Sequence, residues 1–215
     1  MKAESLKRYP AHLSDRTRLE VVKAYLLHEL PSLRETIENL AENCERRLSC
    51  EEIYDLFYAI SLVYKRKFIA KEVTSEGCKW VKGKVKLGRL KLSTYIDGLH
   101  KFKWELIKNV IKDEEARNAI LANSSKYYEK KRGLVDDPII VVKEGETYRI
   151  LDGNGRALYR LAKSNFNLED EIDAFIGECA NISNICIPFG ILHFIEDYPN
   201  KEELEAKILG QLLSK

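Results

Sequence analysis

The chain has 215 residues, 45% of them hydrophobic and 33% charged, with 36 Lys and Arg against 34 Asp and Glu for a net charge of +2. That is enough for one ordinary domain or two small ones, and neither the apolar content nor the charge fits a disordered chain. No run of about eighteen apolar residues occurs and the stretch Met1 to Arg18 is charged throughout, which argues against a membrane span and a secretory leader and makes the cytoplasm the expected location.

The first third reads as helices. Ser14 is placed to cap a segment whose apolar positions Leu19, Val22, Leu26 and Leu27 recur at three and four residues until Pro31. Ser32 opens the next, with Leu33, Ile37, Leu40 and Ala41 on one face and Glu35 completing a capping box. Ser49 caps a longer run from Cys50 to about Val73, where Ile53, Leu56, Phe57, Ile60, Val63 and Tyr64 keep the helical period. Short joints make this a small helical unit over residues 1–76.

From Lys79 to Ser93 the period changes to two, with Lys82, Lys84 and Lys86 alternating against Val81, Val85 and Leu87, the pattern of a strand. Lys101 to Ala122 reads as helix, with Trp104, Ile107, Ile111 and Ile120 as core candidates. The polar stretch Asn123 to Lys131 reads as a loop closed by Gly133, with Tyr127 and Tyr128 placed to form a flap. Pro138 starts a strand at Ile139 to Val142, Lys143 to Glu146 is a turn, and Thr147 to Leu151 returns as the second arm of a hairpin. Ala157, Leu158, Leu161 and Ala162 give a helix face, Ile172 to Ile176 is a further strand, and Ile185 to Leu213 is helical between breaks at Pro188 and Pro199.

The five cysteines, Cys44, Cys50, Cys78, Cys179 and Cys186, form no CxxC pair and lie near no histidine couple, so buried free thiols are expected rather than zinc or a disulfide framework. One glutamine and one methionine beside abundant Lys, Glu and Ile resemble thermophile composition.

The chemistry concentrates at Asp152-Gly153-Asn154-Gly155-Arg156, between the second arm of the hairpin and the helix after it. Two glycines let amide N–H groups turn toward oxygen atoms, the helix start adds its positive dipole end, and Arg156 is a forked donor matched to phosphate. Asp152 at the strand end has three open roles: holding a metal water, orienting Arg156, or capping the helix. A capped strand-to-helix turn with no ligand fits the same spacing. GxxxxGK[ST] and GxGxxG are absent, which leaves ordinary P-loop and dinucleotide sites unsupported.

The order PIIVV, turn, YRILDGNGRALYRLAKSN and EIDAFIGE resembles the ParB and sulfiredoxin superfamily, in which a strand ending in a Gly-X-X-Arg motif leads into a helix and a further strand. The resemblance implies an α+β fold, a small mixed sheet with helices over residues 77–180, preceded by the helical unit and followed by a helical extension over residues 181–215. It implies phosphate binding at Gly153, Asn154, Gly155 and Arg156. Its implied ligand is a nucleoside triphosphate or diphosphate (ATP, ADP or CTP) with Mg²⁺, and the implied activity is that of a small-molecule kinase or nucleotide hydrolase. Asp152 matches the Asp before the glycine in the free-serine kinase branch. Asn154 stands where sulfiredoxins carry their reactive cysteine, which argues against that reaction. Asp97 and Glu105 are the upstream carboxylates available for acid-base or metal work, and His100 is a further base.

Charge is segregated along the chain: Lys79 to Lys108 holds nine Lys or Arg against Asp97 and Glu105, while Leu168 to Glu205 holds ten acidic residues against Lys201. The basic segment 79–108 is therefore a candidate surface for a nucleotide or a nucleic-acid backbone, and a DNA-binding, partition-like module without catalysis is the competing reading. A lysine-rich sheet edge that resists aggregation accounts for the same residues. A second copy of the chain, as a homodimer, is the other partner considered.

Overall fold

The computed structural model describes residues 15–46, 50–63, 67–96, 101–130 and 135–179, with the backbone alone described at 51, 62–63, 67–68, 93–96, 101–103 and 125–130. The protein is mixed α/β and divides into two compact units between Glu76 and Gly77.

The first unit is helical. Helix α1 (Arg16–Glu29) is capped by Asp15, whose Oδ1 accepts from the Arg18 amide at 2.9 Å, and Ser14 lies outside the described residues. The expected capping box at Ser32 does not form. Pro31–Leu33 is a 3-10 turn, and α2 (Arg34–Glu45) starts directly after it without a side-chain cap, so Glu35 acts only through its charge at the positive helix end. The run expected as one helix is two, α3 (Glu51–Val63) and α4 (Lys67–Thr74). Tyr25, Tyr54 and Tyr58 surround Phe57, the first two edge-to-face with centroids 5.4 and 6.4 Å away. Arg18 is buried among them and donates to the Ser75 carbonyl at 2.8 Å; burial holds its pKa below the ordinary arginine value.

The second unit is built on one six-stranded sheet in the order β1-β6-β4-β5-β2-β3. Its strands are β1 (Cys78–Lys86), β2 (Leu90–Ile96), β3 (Lys101–Leu106), β4 (Ile139–Glu144), β5 (Thr147–Asp152) and β6 (Glu171–Cys179). The lysine alternation forms β1, and a 3-10 turn at Leu87–Arg89 separates it from β2. Lys101–Leu106, expected as helix, is a strand. Its sequence alternates charged and apolar residues, and antiparallel pairing with β2 from Lys91↔Leu106 to Ile96↔Lys101 outweighs the helical spacing that begins at Ile107. Helix α5 (Ile107–Val110) is a single turn, and α6 (Glu114–Lys130) runs through the stretch expected as a loop, taking in the backbone of Tyr127 and Tyr128. It tolerates that polarity because Ile120 alone is buried among its described side chains and others, such as Asn123, bond back to the helix, here to the Ala119 carbonyl at 2.8 Å. Gly133 and the segment 185–213 lie outside the described residues.

The hairpin is as expected, although Lys143 and Glu144 belong to β4 and the turn is only Gly145-Glu146. Helix α7 (Asn154–Lys163) buries Ala157 and Leu161 against Ile139, Val141 and Ile150, then returns the chain to β6, which lies parallel to β4.

Four of the five cysteines fall within the described residues, and they form two disulfides, Cys44–Cys50 and Cys78–Cys179, which corrects the expectation of free thiols. Chain spacing could not announce the second bond: its cysteines are 101 residues apart, and only the pairing of β1 with β6 sets Cys78 opposite Cys179.

Candidate functional site

Strand β5 ends at a change of hand. Gly153 has φ +102°, a conformation that side-chain-bearing residues rarely adopt, and its carbonyl accepts the first bond of α7 from Ala157 at 3.0 Å. A Cβ on Gly153 would stand 2.5 Å from Ile139 Cγ2 and 3.0 Å from Arg156 Nε. The missing side chain therefore admits β4 and the arginine beneath the turn. The β4–β5 pairing shifts register between Ile140 and Val141, and Ile140 stands opposite Asp152.

The structure brings Asp152 and Arg156 together. Arg156 Nη2 donates to Asp152 Oδ2 at 2.5 Å, with the residues 1% and 5% exposed, so each charge is neutralised by the other away from water. Asp152 orients Arg156, one of the three roles open to it, and it does not cap α7, which has no side-chain cap. Arg156 is not the exposed phosphate fork that its position suggested. One of its donors is left over: Nε is buried and has no acceptor among the described residues. Asn154 and Gly155 are half-exposed in the first turn of α7, where helix geometry leaves backbone N–H groups without intrahelical acceptors.

Glu105 is not part of this corner. It sits in β3 opposite Leu92, two strands from β5, roughly 10 Å across the sheet. Asp97 and His100 lie outside the described residues. Among the described residues, no trio of carboxylate, histidine or cysteine ligands surrounds the corner, so they supply no cage for Mg²⁺.

The basic segment 79–108 is divided. β1 forms one end of the sheet and β2–β3 the other, with β6, β4 and β5 between them, about four strand spacings or 19 Å apart. Along β1, Lys79, Lys84 and Lys86 face Glu178, Asp173 and Glu171 of β6, and Lys86 Nζ also meets Glu169 at 2.6 Å. Near the hairpin, Glu144 accepts from Lys91 at 2.8 Å and from Arg149 at 2.7 Å. Burial alone would raise the Glu144 pKa, but the Lys91 hydrogen bond and the Arg149 charge outweigh it and hold the carboxyl below its ordinary value.

A cleft of about 480 Å³ is lined by Lys112, Glu114, Arg117, Asn118 and Leu121. Arg117 stacks on Phe166 at 4.6 Å, just past the C-terminal end of α7, so this cleft lies toward the end of α7 remote from Gly153. Sequence reasoning missed it, because exposed polar helix residues carry no signal of a concavity.

Comparison of the chain with known protein families, curated proteins and solved structures finds no match to any of them.

Proposed function

We propose that residues 77–182 form a nucleotide-phosphate-binding domain of the ParB/sulfiredoxin type, gripping phosphate at the start of α7. The observation that carries this reading is an excess of donors over acceptors. The first turn of α7 has no side-chain cap, and buried Arg156 keeps an Nε–H without an acceptor among the described residues. A buried donor left unmade costs about 1–3 kcal/mol, and an anion at a helix N-terminus supplies the acceptors. The order of β4, β5, α7 and β6 also agrees with the resemblance. In this reading Gly155 and Asn154 present the grip, Gly153 sets its geometry, and Asp152 with Arg156 holds strand end and helix start together.

ATP, ADP or CTP is the ligand class, with any Mg²⁺ carried by the nucleotide phosphates rather than by a protein cage. Kinase or hydrolase chemistry would need its acid or base from outside the Asp152–Arg156 pair. The division of the basic strands between the two ends of the sheet favours a nucleotide over a nucleic-acid backbone. The two disulfides are compatible with a cytoplasmic location and a thermophile-like composition, because intracellular proteins of hyperthermophiles carry such bonds.

Calorimetric titration with ATP, ADP and CTP in the presence of Mg²⁺ tests the reading on wild type and Gly155→Asp. A carboxylate in the first turn favours the helix but repels phosphate. The expected result is binding of at least one nucleotide by wild type, weakened roughly tenfold or more in the variant (about 1.4 kcal/mol) without loss of thermal stability. Absence of binding by wild type would refute it.

A further inference from the structure

We propose that Cys78–Cys179 is a reversible redox site whose reduction by a dithiol releases the edge strand β1. The bond joins the first residue of β1 to the last of β6, directly opposite each other in an antiparallel ladder. β1 ends the sheet, so β6 is its sole strand neighbour among the described residues. Its hold is uneven. Val85 is anchored in the core at one end and Cys78 and Trp80 are buried at the other, while Val81 is 49% exposed and Lys82 and Lys84 are exposed between them. Trp80 lies across Gly177, its strand partner, where a Cβ would stand 2.8 Å from the indole. The opposite-charge pairs along the ladder are exposed and weak, so the disulfide is the strongest fixed point of the half from Cys78 to Gly83.

The two cysteines are unequal in exposure. Cys78 is 1% exposed and Cys179 is half-buried, so an external thiolate attacks Cys179 Sγ. The new S–S bond forms there, the Cys78–Cys179 bond breaks, and the electron pair leaves on Cys78 sulfur, which takes a proton from solvent. The second thiolate of the reductant then attacks the mixed disulfide, closing the oxidised reductant and freeing Cys179 as a thiol. Two electrons pass from the dithiol to the protein. Without the bond, the end of β1 opens as an edge strand does, exposing residues 79–84.

Lysines in β1 make trypsin the direct probe. Full-length protein is digested briefly in its oxidised form, after dithiothreitol reduction, and as Cys78→Ser/Cys179→Ser, with Cys44→Ser/Cys50→Ser as the control for the other disulfide. Mass spectrometry is expected to find cleavage after Lys79, Lys82 and Lys84 about tenfold faster or more in the reduced protein and in Cys78→Ser/Cys179→Ser, because cleavage follows the open population. The control variant in its oxidised form should match oxidised wild type, and circular dichroism should be retained throughout. Equal cleavage in both redox states would overturn the proposal. So would alkylation of Cys78 and Cys179 in protein that was never reduced, or reduction-dependent cleavage spread equally to Lys143 and Arg156, which would mean that the bond holds the whole unit and not its edge.

Discussion

Replacing Asp152 by Asn tests the structure of the corner directly. The carboxylate lies 2.5 Å from Arg156 Nη2, the two side chains are 3% and 2% exposed, and Arg156 Nε already lacks an acceptor among the described residues. Removing the charge leaves a guanidinium buried without a counter-ion, a change that typically costs about 3–5 kcal/mol. Arg156→Met should cost a similar amount, because it strands the carboxylate instead. The double variant Asp152→Asn/Arg156→Met leaves no buried charge, and its loss should fall well short of the sum of the single losses. Urea unfolding followed by tryptophan fluorescence is the assay, since the two tryptophans, Trp80 and Trp104, both belong to the unit that contains the corner. If Asp152→Asn costs less than about 1 kcal/mol, the value of an exposed pair, or if the single losses simply add, the buried pair is not what holds β5 to α7.

Gly153→Ala should destabilise the same unit by about 2–4 kcal/mol in urea titration, combining strain at positive φ with overpacking against Ile139. Cys44→Ser/Cys50→Ser opens a loop of separation 6 and should lower helical-unit stability by about 2 kcal/mol on the chain-entropy relation, read from the circular dichroism melt. The Glu144 carboxyl is held below its ordinary value, so the stability it contributes is complete above the unfolded carboxylate range near ~4.3 and is lost as pH falls through the lower folded value. Carboxyl NMR titration should therefore place Glu144 below the ordinary glutamate value in wild type, and the shift should shrink in Lys91→Ala.

The hairpin, the corner and the strand after α7 were legible because their signals are local: Pro138, the Gly145 turn, two glycines at a strand end, and apolar spacing at Ala157 and Leu161. Lys101–Leu106 was misread because a six-residue alternation runs straight into Ile107 and Ile111, and what decides its state is β2, a partner that lies outside any helical window. The disulfides were not legible for the same reason, since sheet order sets Cys78 beside Cys179. At the corner, sequence marked a cation and an anion four residues apart but held no record of what covers them. The hairpin brings Ile139, fourteen residues before Gly153, under the same turn that Arg156 Nε approaches.

That burial makes salt the discriminating variable for ligand binding. Asp152 and Arg156 cancel, so a phosphate held at the start of α7 meets backbone dipoles and one leftover donor, with no net charge from the pair. Counterion release scales with the number of cations that meet phosphate, and here that number is close to zero. On the proposed reading, nucleotide affinity should change by no more than about threefold between 50 and 200 mM salt, whereas a protein making six to ten phosphate contacts to duplex DNA loses about 10³–10⁵ over the same range. A steep salt dependence of nucleotide binding would place the phosphates on the exposed lysines of β1 instead, because those are the cations that salt can screen, and would remove the corner from the site.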